Sequence, residues 1–204
     1  MPLTDTTPKR GSATKQRLLD AAQRLMLAQG FSATTVESIC AAAKLTKGSF
    51  FHYFDSKEQL GQELLERFCR EFQDRLQSKL ARLEDPLERI DAAIEHAIDL
   101  SAACANQPGC LLGTFAQELS DTHPKMRNAC QCAFTEWAKR LEQDFEEAKQ
   151  RYAPQAQVDA RSLAEHFIAV VEGAKILAKT SGDGRMEQRS LRHLQRYVHM
   201  VFGR

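Results

Sequence analysis

Residues 34–57, TTVESICAAAKLTKGSFFHYFDSK, constrain this chain more than any other stretch. Thr35 stands before Val36, Ile39, Ala42 and Ala43, whose i, i+3, i+6/i+7 recurrence predicts a short amphipathic helix with a threonine N-cap. Ala43-Lys44-Leu45 leaves room only for a tight turn, and Thr46 then caps a second helix of about two turns, through Tyr53. The first turn of that helix offers Lys47, Gly48 and Ser49: a cation, a bare stretch of backbone and a hydroxyl. Such groups reach base edges and phosphates when a recognition helix enters a major groove by its N-terminus. The arrangement fits a helix-turn-helix reader of double-stranded DNA.

The residues around it carry a resemblance. Gly30-Phe31, the pair Thr34-Thr35, and Gly48-Ser49-Phe50-Phe51-His52-Tyr53-Phe54-Asp55-Ser56-Lys57-Glu58 match the spaced signature of the TetR family of bacterial repressors, over residues 14–60. The chain resembles that family, and the resemblance implies that Thr35, Lys47, Ser49, His52, Tyr53 and Lys57 face DNA. There are two departures. Phe51 stands where the family usually has Tyr, which removes one phenolic phosphate contact. Lys44 replaces the usual turn glycine; a left-handed backbone there costs about 1 kcal/mol, while the side chain brings a cation near the phosphates.

Glycine and proline are sparse, charged residues recur at helical spacing, and no strand-like alternation survives, so the expected class is all-α. Nine helices are expected, three in the head and six behind it, which fits the family's two-domain layout. Residues 1–11 read as a flexible arm with Lys9-Arg10, residues 12–55 as the helix-turn-helix domain, and residues 56–204 as an effector-sensing and dimerisation domain. Residues 1–60 hold eight Lys/Arg against five Asp/Glu, a field too modest to hold DNA by bulk attraction alone. The first eleven residues lack an apolar core, and no run of 18 apolar residues occurs. A cytoplasmic protein with no membrane segment is expected, its six cysteines (40, 69, 104, 110, 130 and 132) reduced.

Behind the head, Ser56 caps a long helix with the stripe Leu60, Leu64, Leu65, Phe68, Phe72, Leu76 and Leu80, a natural lever between domains. Pro86 opens the next helix, whose buried face runs from Leu87 through Ile94 and Ile98 to Ser101. The last two helices carry the stripes Leu163, Phe167, Val170, Val171, Ala174, Leu177 and Leu191, Leu194, Val198, Val201, Phe202. In a TetR-like homodimer these pair with their two-fold copies, with Leu163, Val170, Val171, Leu191, Leu194 and Val198 at the interface; the alternative is that they close the monomer core. Two heads sharing a palindromic operator give the contact area that one small head lacks. Phe68, Phe72, Ile94, Phe115, Phe134, Trp137 and Phe167 are candidates for an apolar effector cavity, or for plain core.

Cys110 follows Pro108-Gly109 at the start of a helix, where the dipole favours a thiolate; Lys179 is a candidate cation beside it. The segment Gly109-Cys110-Leu111-Leu112, with Glu118-Leu119-Ser120-Asp121 and Met126-Arg127, resembles a TetR subgroup that contains the N-ethylmaleimide-responsive repressor. That resemblance implies an electrophile as effector, against the simpler alternative that Cys110 is a small core residue. Cys40 is explained by packing. Cys130 and Cys132 point about 200° apart on a helix, and no CxxC or HxxxH pair exists, so no metal and no cofactor is expected. The function expected is a DNA-binding transcriptional regulator, a repressor released by a small effector or by cysteine modification. The competing classes are a cysteine-dependent enzyme, with Cys110 as nucleophile and His123 or Glu118 as partner, and an effector-independent DNA-binding protein. Neither an oxyanion hole nor a base at fixed spacing accompanies Cys110, so no catalytic residues are assigned.

Overall fold

The computed structural model describes residues 10–103 and 109–204, without the side chains of residues 10–12 and 101–103. Lys9 and most of the expected arm, Cys104, Pro108 and the side chain of Ser101 lie outside the described residues. Among those described, the chain is all-α: α1 (Arg10–Gln29), α2 (Val36–Ala43), α3 (Lys47–Phe51), α4 (Lys57–Leu80), α5 (Pro86–Ala103), α6 (Leu111–Leu119), α7 (Pro124–Tyr152), α8 (Ala160–Ser181) and α9 (Arg185–Val201). None of these helices is long and apolar enough to cross a membrane. The chain divides into two compact units at Phe68/Cys69, inside α4, whereas the sequence suggested a change of domain at its start.

In the first unit, Leu18, Met26, Phe31, Ile39, Phe50, Phe54, Leu60 and Leu64 are all buried. Each such side chain contributes about 1.5–3 kcal/mol on burial, enough to hold a small head whose polar groups stay outside. The paired threonines divide the work. Thr34 is buried, its hydroxyl donating to the Gly30 carbonyl at 2.7 Å, while Thr35 stands outside as the cap of α2. Lys44 does adopt the left-handed conformation, φ 53°, and its N–H closes the end of α2 on the Ala41 carbonyl at 3.1 Å. Arg17 of α1 donates to the Ala43 carbonyl at 2.5 Å, so a cation answers the negative end of α2.

In the second unit an apolar cluster joins Ile90 and Ile94 of α5, Leu141 and Phe145 of α7, Phe167 and Val171 of α8, and Leu191, Leu194 and Val198 of α9. Phe145 and Phe202 stack at 6.3 Å. Arg89–Asp144 (2.6 Å) ties α5 to α7, and His199–Asp91 (2.9 Å) ties α9 to α5.

This packing corrects the interface expected for the last two helices. Leu163, Val171, Leu191, Leu194 and Val198 are buried within a single chain, and Val170 is half-buried. The physical reason is that α8 and α9 lie against each other and against α5 and α7, so the dominant stripe of each turns to its own core. The large apolar side chains these two helices leave outside are different ones: Ile176 at 44% exposure, Leu177 at 53%, Tyr197 at 43% and Met200 at 77%.

Candidate DNA interface and candidate effector site

The α2–turn–α3 segment is fixed by two hydroxyl caps. Thr35 Oγ1 accepts from the Ser38 N–H at 3.1 Å while Ser38 Oγ accepts from the Thr35 N–H at 3.1 Å, a reciprocal capping box. Thr46 Oγ1 accepts from the Ser49 N–H at 3.2 Å and lies 3.0 Å from Ser49 Oγ. α3 is shorter than expected, with His52 as its C-cap. Thr35, Lys44, Lys47, Gly48 and His52 are exposed, and Ser49 and Tyr53 half-buried. The His52 and Tyr53 rings meet edge-on at 4.7 Å. A Cβ on Gly48 would meet nothing nearer than Thr46 Oγ1 at 3.7 Å, so the fold itself does not demand glycine there. Lys47 pairs with Glu37 across the turn, and this pairing holds the Glu37 carboxyl below its ordinary value.

Lys57 stands apart from this outward group, which corrects its expected role. Its ammonium donates to the Phe31 carbonyl at 2.8 Å and the Thr34 carbonyl at 2.9 Å, and sits 4.3 Å from the Phe31 ring centroid. As the first residue of α4 it reaches back over the α1–α2 loop and braces it. A second brace was missed at the sequence level: Arg67 donates to Asp20 at 2.7 Å and to Gln23 at 2.6 Å. The apolar stripe of α4 is legible in the sequence, whereas a single Arg in a charged helix carries no distinguishing signal.

In the second unit the expected effector residues separate. Phe68 closes the first unit. Phe72, Trp137 and Phe167 form a chain of edge contacts at 5.3 and 6.4 Å, and Ile94 and Phe134 belong to the same core. Phe115 is buried outside that cluster. His96, not singled out in the sequence, is buried 5.2 Å from the Phe72 ring, and its Nε2 finds no partner among the described residues. Burial, then the charges of Lys79 and Arg75, pull its pKa down.

Cys110 is the N-cap of α6, after Gly109 at φ 144°, a conformation open to glycine. The thiolate expected of it is overturned. Cys110 is buried, its side chain makes no cap bond, and burial first, then the Glu172 carboxylate, pushes the thiol well above its ordinary range. The Gly113 N–H and the Lys175 charge pull the other way and lose. Removing a thiolate from water here outweighs the partial charge of a helix end. The cation acting on the thiol is Lys175; the suggested Lys179 lines the same cleft. Cys40 is buried, with its Sγ 3.6 Å from the Thr46 carbonyl oxygen, as packing required.

Comparison with known proteins agrees with this layout. Residues 18–64 match the family described as "Bacterial regulatory proteins, tetR family", and residues 86–194 match "Tetracyclin repressor-like, C-terminal domain". The chain is 33% identical to the transcriptional regulator AcuR of Cereibacter sphaeroides, over 88% of this chain and 89% of AcuR. A crystal structure of a regulatory protein TetR from Rhodobacter sphaeroides superposes with a TM-score of 0.81 at 30% identity, covering 90% of this chain and 97% of that one. The reduced form of Escherichia coli NemR superposes with a TM-score of 0.71 at 27% identity, covering 89% and 95%. With a capped helix-turn-helix in the first unit and a family match over more than half its length, the chain belongs to the TetR family and is a DNA-binding transcriptional regulator.

Proposed function

We propose that the chain represses transcription as a cytoplasmic homodimer on a palindromic operator, and that a small molecule bound in its second unit releases it. Thr35, Lys44, Lys47, Gly48, Ser49, His52 and Tyr53 contact the DNA, and Lys57 holds the loop from which Thr35 projects. The observation that carries this is the start of α3. Its cap is satisfied internally by Thr46, which leaves the Lys47 side chain and the Gly48 backbone exposed at the start of a short helix. Gly48 there lets a phosphate or base edge approach the backbone.

The dimer is supported by the apolar groups that single-chain packing leaves outside. Val170 and Leu177 share one face of α8, and Tyr197 and Met200 project from α9. Burying them against their two-fold copies fits the symmetry of a palindrome. The test is selection of bound duplexes from a random pool, followed by light scattering of the free chain and the complex. A dyad site with half-sites about 34–36 Å apart, or a multiple of that, bound by two chains is expected. Selected sequences without a dyad, bound by one chain, would overturn the proposal.

A further inference from the structure

Among the described residues, the first unit leaves one large apolar side chain in water: Phe51, the last residue of α3, at 54% exposure. Phe50 and Phe54 beside it in sequence are buried. Phe51 meets the Phe50 ring edge-on at 5.2 Å, which secures one edge of its own ring and leaves the rest open. A single exposed apolar residue is ordinary by itself. Its position is what distinguishes this one. Phe51 follows Lys47 by four residues and Gly48 by three, so the three lie on one side of α3, all exposed. The ring therefore belongs to the outward group that the proposed interface offers to DNA.

The chemistry of the ring limits what it can do there. A phenyl group has no donor and no acceptor, so it gives nothing to a phosphate oxygen and forms no hydrogen bond with a base edge. A tyrosine hydroxyl could bond to phosphate; phenylalanine keeps only the apolar use of the site. In the major groove every base shows donors or acceptors, and thymine alone adds an apolar group, its C5 methyl. Contact between ring and methyl takes apolar surface of both out of water. Burial of one such carbon corresponds to about fourfold in affinity.

We infer that Phe51 sets a base preference: its ring packs on the C5 methyl group of a thymine in the major groove, beside the bases or phosphates that Lys47 and Gly48 engage. This rests on the DNA contacts proposed above, and the experiment lets the two fail separately.

Duplexes selected from a random pool by the wild-type chain are remade with each thymine in turn replaced by deoxyuridine, which lacks only that methyl and pairs with adenine as before. Fluorescence anisotropy at fixed salt then compares wild type, Phe51→Ala, Phe51→Leu and Lys47→Ala. At one thymine of the half-site, deoxyuridine should weaken wild type about fourfold and leave Phe51→Ala unaffected, so the two losses do not add. Phe51→Leu keeps an apolar group and should keep part of the penalty. Phe51→Ala should melt with the wild type, because the side chain is exposed, and should keep its salt slope, because no phosphate contact is lost. Three results would each overturn the inference: a selected half-site with no fixed thymine, deoxyuridine penalties identical in wild type and Phe51→Ala, or an equal loss for Phe51→Ala on selected and random duplexes. Lys47→Ala shows which reading has failed. If it weakens binding while the deoxyuridine penalties ignore Phe51, only the thymine contact is wrong; if Lys47→Ala and Phe51→Ala both bind like wild type, α3 does not enter the groove.

Discussion

Two helix starts in this molecule look alike in sequence and differ in outcome. α3 begins after Thr46 and α6 after Cys110; each places a small polarisable or polar side chain at an N-cap. At α3 only Phe50 turns into the core, so Lys47 and Gly48 remain exposed. At α6 the residues following the cap, Leu111, Leu112 and Phe115, are buried and take Cys110 in with them. The same positive helix end thus presents functional groups in one unit and is overruled by desolvation in the other. Solvent access, not the local motif, decides what a helix start can do.

That contrast between an outward-facing first unit and an inward-facing second one is open to direct attack. Its largest consequence is for α9. Leu194→Glu places an unpaired charge where the side chain is 4% exposed, and should cost about 3–5 kcal/mol in denaturant unfolding. Met200→Glu, at 77% exposure, should alter the stability of the single chain by no more than about 0.5 kcal/mol. It should still shift the chain towards monomer in light scattering. A well-folded monomer from Leu194→Glu would return that residue to the interface and reverse the burial pattern described above.

Within the first unit, two lysines ten residues apart are expected to behave oppositely. Lys57→Ala removes two hydrogen bonds from a charged donor and should destabilise the head by about 2–3 kcal/mol, read by amide exchange in α2 and α3. Lys47→Ala should leave exchange unchanged and weaken operator binding by about 1–3 kcal/mol if it reads a base edge. Loss of operator binding from Lys57→Ala with native exchange would make Lys57 a contact after all.

The fold was legible where the signal is local. Helix order, the caps Thr35 and Thr46, Pro86 at the head of α5 and the left-handed Lys44 all follow from spacing and backbone chemistry. What sequence could not supply was the choice of face. Leu163, Val170, Val171 and Leu177 form one broad apolar arc on α8, and only the neighbouring α7 and α9 determine that Val171 turns in and Leu177 out. Lys57 and Glu172 were illegible for the same reason. A lysine reaching back to the Thr34 carbonyl, or a carboxylate lodged on Gly113, exists only once distant segments have met.

Cys110 and Cys132 sharpen the contrast further. Cys132 is exposed and Cys110 buried with its thiol pushed up, so iodoacetamide at pH 7.5 should label Cys132 first, with Cys110 slower by about tenfold or more. Peptide mass spectrometry over time reads this directly. Labelling of Cys110 ahead of Cys132 would restore the reactive thiol that its helix position suggested.

The smallest effect tests how freely the first unit offers its cation. Lys47 and Glu37 are both largely exposed, so their pairing is screened and contributes little to the fold. On the proposed interface the same Glu37 would work against binding, because it pairs with Lys47 and brings a negative charge to the helix end. Glu37→Gln should therefore leave the melting temperature unchanged while tightening non-specific duplex binding by about threefold at low salt. Because Lys47 then neutralises a phosphate without competition, the plot of log affinity against log salt should steepen by up to about one. The double variant Glu37→Gln/Lys47→Ala separates the two causes. If Glu37 acts through Lys47, the salt slope returns to that of Lys47→Ala alone. A steeper slope that persists in the double variant would mean that Glu37 repels the backbone on its own account, and that Lys47 lies away from the phosphates.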